Sequence, residues 1–153
     1  MAILRSLLLL FIVFSTGNAA GKPDIGILCQ DGWSNFRARC YNFFSQLATW
    51  SEAERNCIAL GANLASVHDG EENYFLLDLL PPSTRCWIGG HDAVEEGEWL
   101  WSDGTKFDYT NWCDREPNNL NVENCGELNW TADQCWNDST CTNTMGYICV
   151  KGL

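Results

Sequence analysis

The rhythm of apolar and polar positions changes twice along this chain. From Leu7 to Phe14, eight apolar residues run without a break, with Arg5 before them and the small residues Gly17-Asn18-Ala19-Ala20 after them. A positive start, a short apolar stretch and a small-residue boundary are the parts of a cleaved secretory leader. Residues 1–20 are therefore read as a signal peptide and residues 21–153 as one mature domain, secreted and extracellular. A permanent membrane span needs about 20 apolar residues. No later segment reaches that, so membrane insertion is not expected.

The second regime is helical. Thr49 or Ser51 can cap a helix through Ala59, with Trp50, Ala53, Cys57 and Leu60 on one face and Gly61 as its stop. A second helix is predicted from Asp69 or Gly70 to Leu80, with Glu71 and Glu72 in its first turn and Pro81-Pro82 beyond its end. Tyr74, Phe75, Leu76, Leu79 and Leu80 are expected to face inward. Before these helices, Cys29 and Cys40 bracket Gly32-Trp33 and Phe36, the pattern of a small hairpin closed by a disulfide.

After Pro82 the periodicity breaks into short bursts. Cys86-Trp87-Ile88, Glu98-Trp99-Leu100-Trp101, Cys135-Trp136 and Tyr147-Ile148-Cys149-Val150 alternate with Gly, Asn and Asp, as short strands joined by polar loops do. Helices followed by strands predict an α+β domain. The polar stretch from Asp103 to Glu127 is too long for an idle connection and reads as a functional loop.

Composition narrows the function. Nine cysteines all follow the leader, which in a secreted chain makes a disulfide framework with one thiol over. No CxxC pair exists and only His68 and His91 could add nitrogen ligands, so zinc is disfavoured. The net charge of −11 becomes −12 once Arg5 leaves with the signal peptide. That sign argues against nucleic acid and anionic membranes as partners. Without HExxH, GxSxG or a plausible catalytic triad, the chain is not expected to be an enzyme. Most of the eight tryptophans lie beside cysteines or in the strand bursts and are read as core.

The chemistry concentrates between Glu116 and Asp138. Within 23 residues the chain places carboxylates at Glu116, Glu123 and Asp138 and primary amides at Asn118 and Asn137, with no basic residue between. Such a cluster repels itself unless a cation joins it. Ca²⁺, which takes six to eight oxygen ligands, suits these side chains.

These residues carry a family resemblance. Cys57 in its helix, Trp87-Ile88-Gly89-Gly90, Trp99, Trp101, Glu116-Pro117-Asn118, Trp136-Asn137-Asp138 and the closing Cys149 resemble a C-type lectin domain across the whole mature chain. Cys113 after Trp112 and Cys135 before Trp136 are similar to small soluble fish lectins and type II antifreeze proteins. The resemblance implies the pairs Cys29–Cys40, Cys57–Cys149, Cys113–Cys135 and Cys125–Cys141, a choice the spacing alone leaves open. It implies a principal Ca²⁺ site of Glu116, Asn118, Glu123, Asn137 and Asp138, with Pro117 as a cis-proline, and makes those five residues the carbohydrate site as well. An auxiliary Ca²⁺ site would use Asp92, Glu96, Asn119, Glu123 and Asn124.

Within that family the order Glu-Pro-Asn goes with mannose-type sugars (mannose, N-acetylglucosamine, fucose), and Gln-Pro-Asp with galactose. The resemblance thus implies a secreted Ca²⁺-dependent lectin that recognises glycans on microbial or host cell surfaces in innate immunity. A galactose-binding lectin and an ice-binding protein of the same fold are the alternatives. Cys86, left over by the implied pairs, would link two copies into a disulfide-bonded homodimer or sit as a buried thiol beside Trp87. Asn129-Trp130-Thr131 is a glycosylation sequon.

Overall fold

A computed structural model describes residues 29–153; the expected signal peptide lies outside the described residues. The chain opens with a hairpin, β1 (Ser34–Phe36) and β2 (Arg39–Ala48), in the register Ser34↔Tyr41 and Phe36↔Arg39. The Cys29–Cys40 disulfide closes it, as expected.

Helix α1 (Trp50–Ala59) begins where the sequence places it. Thr49 accepts from the Glu52 amide, and the Glu52 carboxylate accepts in return from the Thr49 amide at 3.0 Å. This reciprocal pair satisfies two donors that a helix start leaves free. Gly61 takes φ 69°, a left-handed turn that spares it a Cβ penalty. Ala53 and Cys57 are buried, but Leu60 is 46% exposed because the chain has already left the helix there.

Helix α2 (Gly70–Asp78) is capped by Asp69, whose carboxylate accepts from the Glu72 amide at 2.9 Å. It buries Glu72, Asn73, Leu76 and Leu77, while Leu79 and Leu80 pack beyond its end. Tyr74, expected inside, is 68% exposed: the face toward the sheet is set one position away, and Asn73 and Leu77 occupy it. Asn73 earns burial by accepting the Trp136 indole N–H at 2.8 Å.

The remaining elements are β3 (Asn63–Leu64), β4 (Cys86–His91), β5 (Leu100–Trp101), β6 (Cys125–Leu128), β7 (Asn137–Ser139) and β8 (Met145–Gly152). The sheet runs β1-β2-β8-β4-β6-β7, with β3 joined to β8 and β5 to β4. Only β4 and β8 pair in parallel among the sheet's strand pairs. The architecture is α+β, but strand β2 precedes both helices and pairs with the last strand. Two apolar clusters hold it together, one around Tyr41, Leu76, Ile88, Trp101, Trp136 and Ile148, the other around Ala53, Cys57, Leu64, Trp87 and Cys149. The close approach of β3 to β4 requires Gly89, since a Cβ there would meet the Leu64 carbonyl oxygen at 2.7 Å.

All four implied disulfides form. Cys57–Cys149 ties α1 to β8 across 92 residues, a closure worth on the order of 4–5 kcal/mol. Cys86 is free and 0% exposed, packed in the first cluster. A sulfur sealed in the core cannot reach a second chain, so this packing does not support the interchain bridge. The buried thiol is the reading that fits. Among the described residues, no helix is long and apolar enough to cross a membrane.

Candidate cation and ligand site

Residues 102–124 link β5 to β6 without a regular element, so the expected long loop exists but ends sooner. Cys125, Gly126 and Glu127 belong to β6, where Glu127 is buried because Arg85 neutralises it. Aromatic packing seats the loop: Trp112 lies 5.6 Å from Trp136 and 4.6 Å from Trp99, and Tyr109 lies 5.7 Å from Trp136. Trp112 also forms an isolated bridge with Trp136, beside the Cys113–Cys135 disulfide. Trp87, Trp101 and Trp136 are core as predicted; Trp130 is 39% exposed under the Arg85 guanidinium.

The loop tip then folds back on β7. The Glu116-Pro117 bond is cis. Asp138, buried in β7, accepts the Asn118 amide at 3.1 Å on one oxygen and the Asn119 amide at 2.7 Å on the other. The Asn118 side-chain oxygen accepts from Leu120 N, and that of Asn119 from Glu123 N, both at 2.8 Å. Arg115, Asn119, Asn121 and Val122 all take positive φ. Asn tolerates this region, but a β-branched Val at φ 68° is strained, as residues at binding loops often are.

Glu116, Glu123 and Asp138 come within electrostatic reach of one another. Burial pushes the Glu116 carboxyl up to about 7, helped by its contact with Asp138 and by the charges of Asp138 and Glu123. Burial, then Asp138, also raises Glu123. Asn137 is placed differently: its side-chain nitrogen donates to Glu127 at 2.7 Å, and among the described residues nothing donates to its oxygen.

The expected auxiliary residues gather on the same side. Asp92 accepts the Gly97 amide at 2.8 Å, and its own amide donates to the Asn124 carbonyl. Glu96 is raised by burial first, then by Asp92, and it also feels Asp138. No contact ties the Asn124 side chain to this group among the described residues.

The donor set suits a hard cation. Four side-chain polar atoms are sealed from solvent without a partner among the described residues, and two are carboxylate oxygens, Glu116 Oε2 and Asp92 Oδ1. Each falls in one of the two expected sites, and an orphaned buried carboxylate oxygen is costly unless a cation or donor meets it. Among the described residues no three His, Cys, Asp or Glu side chains converge on one point by themselves. The loop's own N–H groups hold the Asp138 and Asn118 oxygens, each of which keeps a further lone pair.

One arrangement elsewhere imitates a catalytic triad. His68 places Nε2 3.2 Å from Ser66 Oγ and Nδ1 2.9 Å from Asp108. Ser66, however, is fully buried, gives its proton to Asp103 and accepts from Arg39. It cannot attack a substrate.

Arg85 and Glu127 carry no mark in the sequence that joins them to this site. Nothing in the Gly126-Glu127-Leu128 pattern marks Glu127 as buried; only its pairing across to Asn137 in β7 reveals it.

The chain matches the Lectin C-type domain family over residues 32–151. It is 46% identical over 121 residues to ladderlectin of Oncorhynchus mykiss, covering 76% of this chain and 64% of that protein, so it spans less than two thirds of that relative. It is 38% identical over 130 residues to the galactose-specific lectin nattectin of Thalassophryne nattereri, covering 82% and 81%. Among solved structures it is similar to a calcium-independent type II antifreeze protein, with a TM-score of 0.78 and 35% identity over 82% of this chain and 95% of that one.

Proposed function

The chain belongs to the C-type lectin domain family, and from that premise we propose that it is a secreted, Ca²⁺-dependent lectin of mannose-type specificity. Its family is one of carbohydrate-binding, non-enzymatic domains. We assign it the recognition of glycans on microbial or host cell surfaces. The observation that carries the reading is the sealed, unpartnered Oε2 of Glu116 beside Glu123 and Asp138. This is negative charge that the described residues leave uncompensated.

Glu116, Asn118, Glu123, Asn137 and Asp138 would hold the principal ion, and Asp92, Glu96, Asn119, Glu123 and Asn124 an auxiliary one. When bound, Ca²⁺ would supply coordination to sugar hydroxyl oxygens. The side chains do the rest. Glu116 and Glu123, as carboxylates, only accept, and so receive hydrogen bonds from sugar hydroxyls. Asn118 has its oxygen engaged by Leu120 N and keeps its NH₂ to donate to a hydroxyl oxygen. An acceptor at Glu116 and a donor at Asn118, in that order, support vicinal equatorial hydroxyls of the mannose type.

A glycan array with and without a chelator tests this. Mannose, N-acetylglucosamine and fucose signals that vanish on chelation are expected; signals indifferent to chelator would sink it. Two other readings have specific support. Galactose specificity is favoured by the likeness to nattectin, and the array separates it directly. Ice binding is favoured by the likeness to the type II antifreeze structure, and thermal hysteresis without sugar-inhibited agglutination would establish it.

A further inference from the structure

We infer that Arg85 and Glu127 are positioning residues that decide which atom Asn137 offers to the cation. The inference rests on the proposed role of Asn137 as a ligand. Glu127 lies opposite Asn137 in the β6–β7 pair and is fully buried. Its Oε1 accepts from Asn137 Nδ2 at 2.7 Å and from Arg85 Nη2 at 2.8 Å; its Oε2 accepts from Arg85 Nε at 2.9 Å and Nη2 at 2.6 Å. Arg85 in turn lies 4.2 Å over the Trp130 ring, at the rim of the groove formed by Ser83, Asn129 and Gln134.

The chemistry of the pair makes the choice. A primary amide presents an acceptor on one side and two donors on the other, and at rest either can face a neighbour. An ionised carboxylate accepts only. Facing Glu127, Asn137 must therefore turn its NH₂ inward, which leaves Oδ1 as the atom without a protein donor. An oxygen ligates Ca²⁺; an NH₂ in that place would repel it. The fork of Arg85 Nε and Nη2 donates to both Glu127 oxygens, so the carboxylate is fixed as an acceptor toward Asn137. Trp130 packs against the guanidinium of Arg85. The line Trp130–Arg85–Glu127–Asn137 thus runs from an exposed groove to the edge of the cation site, and none of its first three members needs to touch the ion.

Glu127→Gln keeps the volume but offers either an amide donor or an acceptor, so the lock is lost. In calorimetric titration of the full mature chain with Ca²⁺, this variant should bind about 10–100-fold more weakly, as displaced supporting partners of metal ligands do. Its thermal midpoint in chelator should fall because Arg85 loses its counter-charge, so affinity is read at a temperature where dichroism shows the variant folded, and the Asn137 side-chain amide resonances should lose their carboxylate-bonded position. Arg85→Lys, which keeps the charge at a half-exposed position but not the fork, decides the matter if Glu127→Gln fails to fold; it should weaken binding about 3–10-fold, a smaller loss than removing the Glu127 carboxylate gives. Unchanged Ca²⁺ affinity in a folded variant of either kind overturns the positioning role alone. Absence of Ca²⁺ binding by the unsubstituted protein overturns the cation reading as well.

Discussion

At Glu116 the cost of an uncompensated pocket falls on one carboxyl. Its pKa is raised from 4.5 to about 7 in the Ca²⁺-free fold, by burial first and then by Asp138 and Glu123. A carboxyl with a raised folded-state value stabilises the fold fully below its unfolded value, and that contribution is lost as pH rises through the folded value. The Ca²⁺-free protein should therefore weaken between about pH 5 and pH 8. Glu116→Gln, which cannot ionise, should melt higher than the native protein in chelator at about pH 8, differ little near pH 4, and lose most of the stabilisation that Ca²⁺ confers. Scanning calorimetry in chelator and in Ca²⁺ reads all three, and a lower midpoint for the variant in chelator at about pH 8 would count against the anionic pocket. The neighbouring positions carry the sugar preference. Glu116→Gln with Asn118→Asp exchanges acceptor and donor around Pro117, so binding should move from mannose toward galactose. An unchanged glycan profile would place recognition on another surface.

At the scale of elements, the site is a loop fastened to a short strand. Glu116, Asn118 and Glu123 ride on residues 102–124, Asn137 and Asp138 on β7, and Cys113–Cys135 joins the two. Cutting it with Cys113→Ser and Cys135→Ser releases a closure of 22 residues, worth on the order of 3 kcal/mol in the chain-entropy picture. Three other disulfides and both apolar clusters remain, so far-ultraviolet dichroism should keep its native form while Ca²⁺ affinity falls at least tenfold. Retained affinity would show that the aromatic seat of Trp112 on Trp136 suffices. Much of this element structure was legible in the sequence, because capping and periodicity are local: Thr49, Gly61, Asp69 and the hairpin at Cys29–Cys40 all act where the letters suggest. What escaped was non-local. Strand β2 has no clean alternation, slips register between Phe44 and Ala48, and finds its partner at the other end of the chain. Glu127 looks like loop until Arg85, 42 residues away, neutralises it. The oxygen-bearing residues expected as ligands stand out in the sequence because oxygen chemistry is written in residue type, whereas Asp138's hold on the loop amides is not.

For the whole molecule, the proposed function turns on valency. It carries one expected sugar site, reached by few side chains on an open loop, so a single monosaccharide should bind only near the millimolar range, about −4 kcal/mol. Recognition of a cell surface then needs several copies held together. Burial argues against Cys86 as the link: it is sealed among Tyr41, Ile88 and Ile148, and that burial raises its thiol pKa. Gel electrophoresis with and without reductant should show no dimer that reduction removes, and Cys86→Ser should leave that pattern unchanged while costing about 1–3 kcal/mol for a hydroxyl buried in apolar surroundings. If valency is what limits binding, fusing the domain to a dimeric carrier should raise apparent affinity for a mannan-coated surface about 100-fold or more with no new contact, and leave affinity for free mannose where it was. A reduction-sensitive native dimer would return the linking role to Cys86 and require this core to open. A fusion that bound mannan no better than the single domain would mean that valency is not what limits binding.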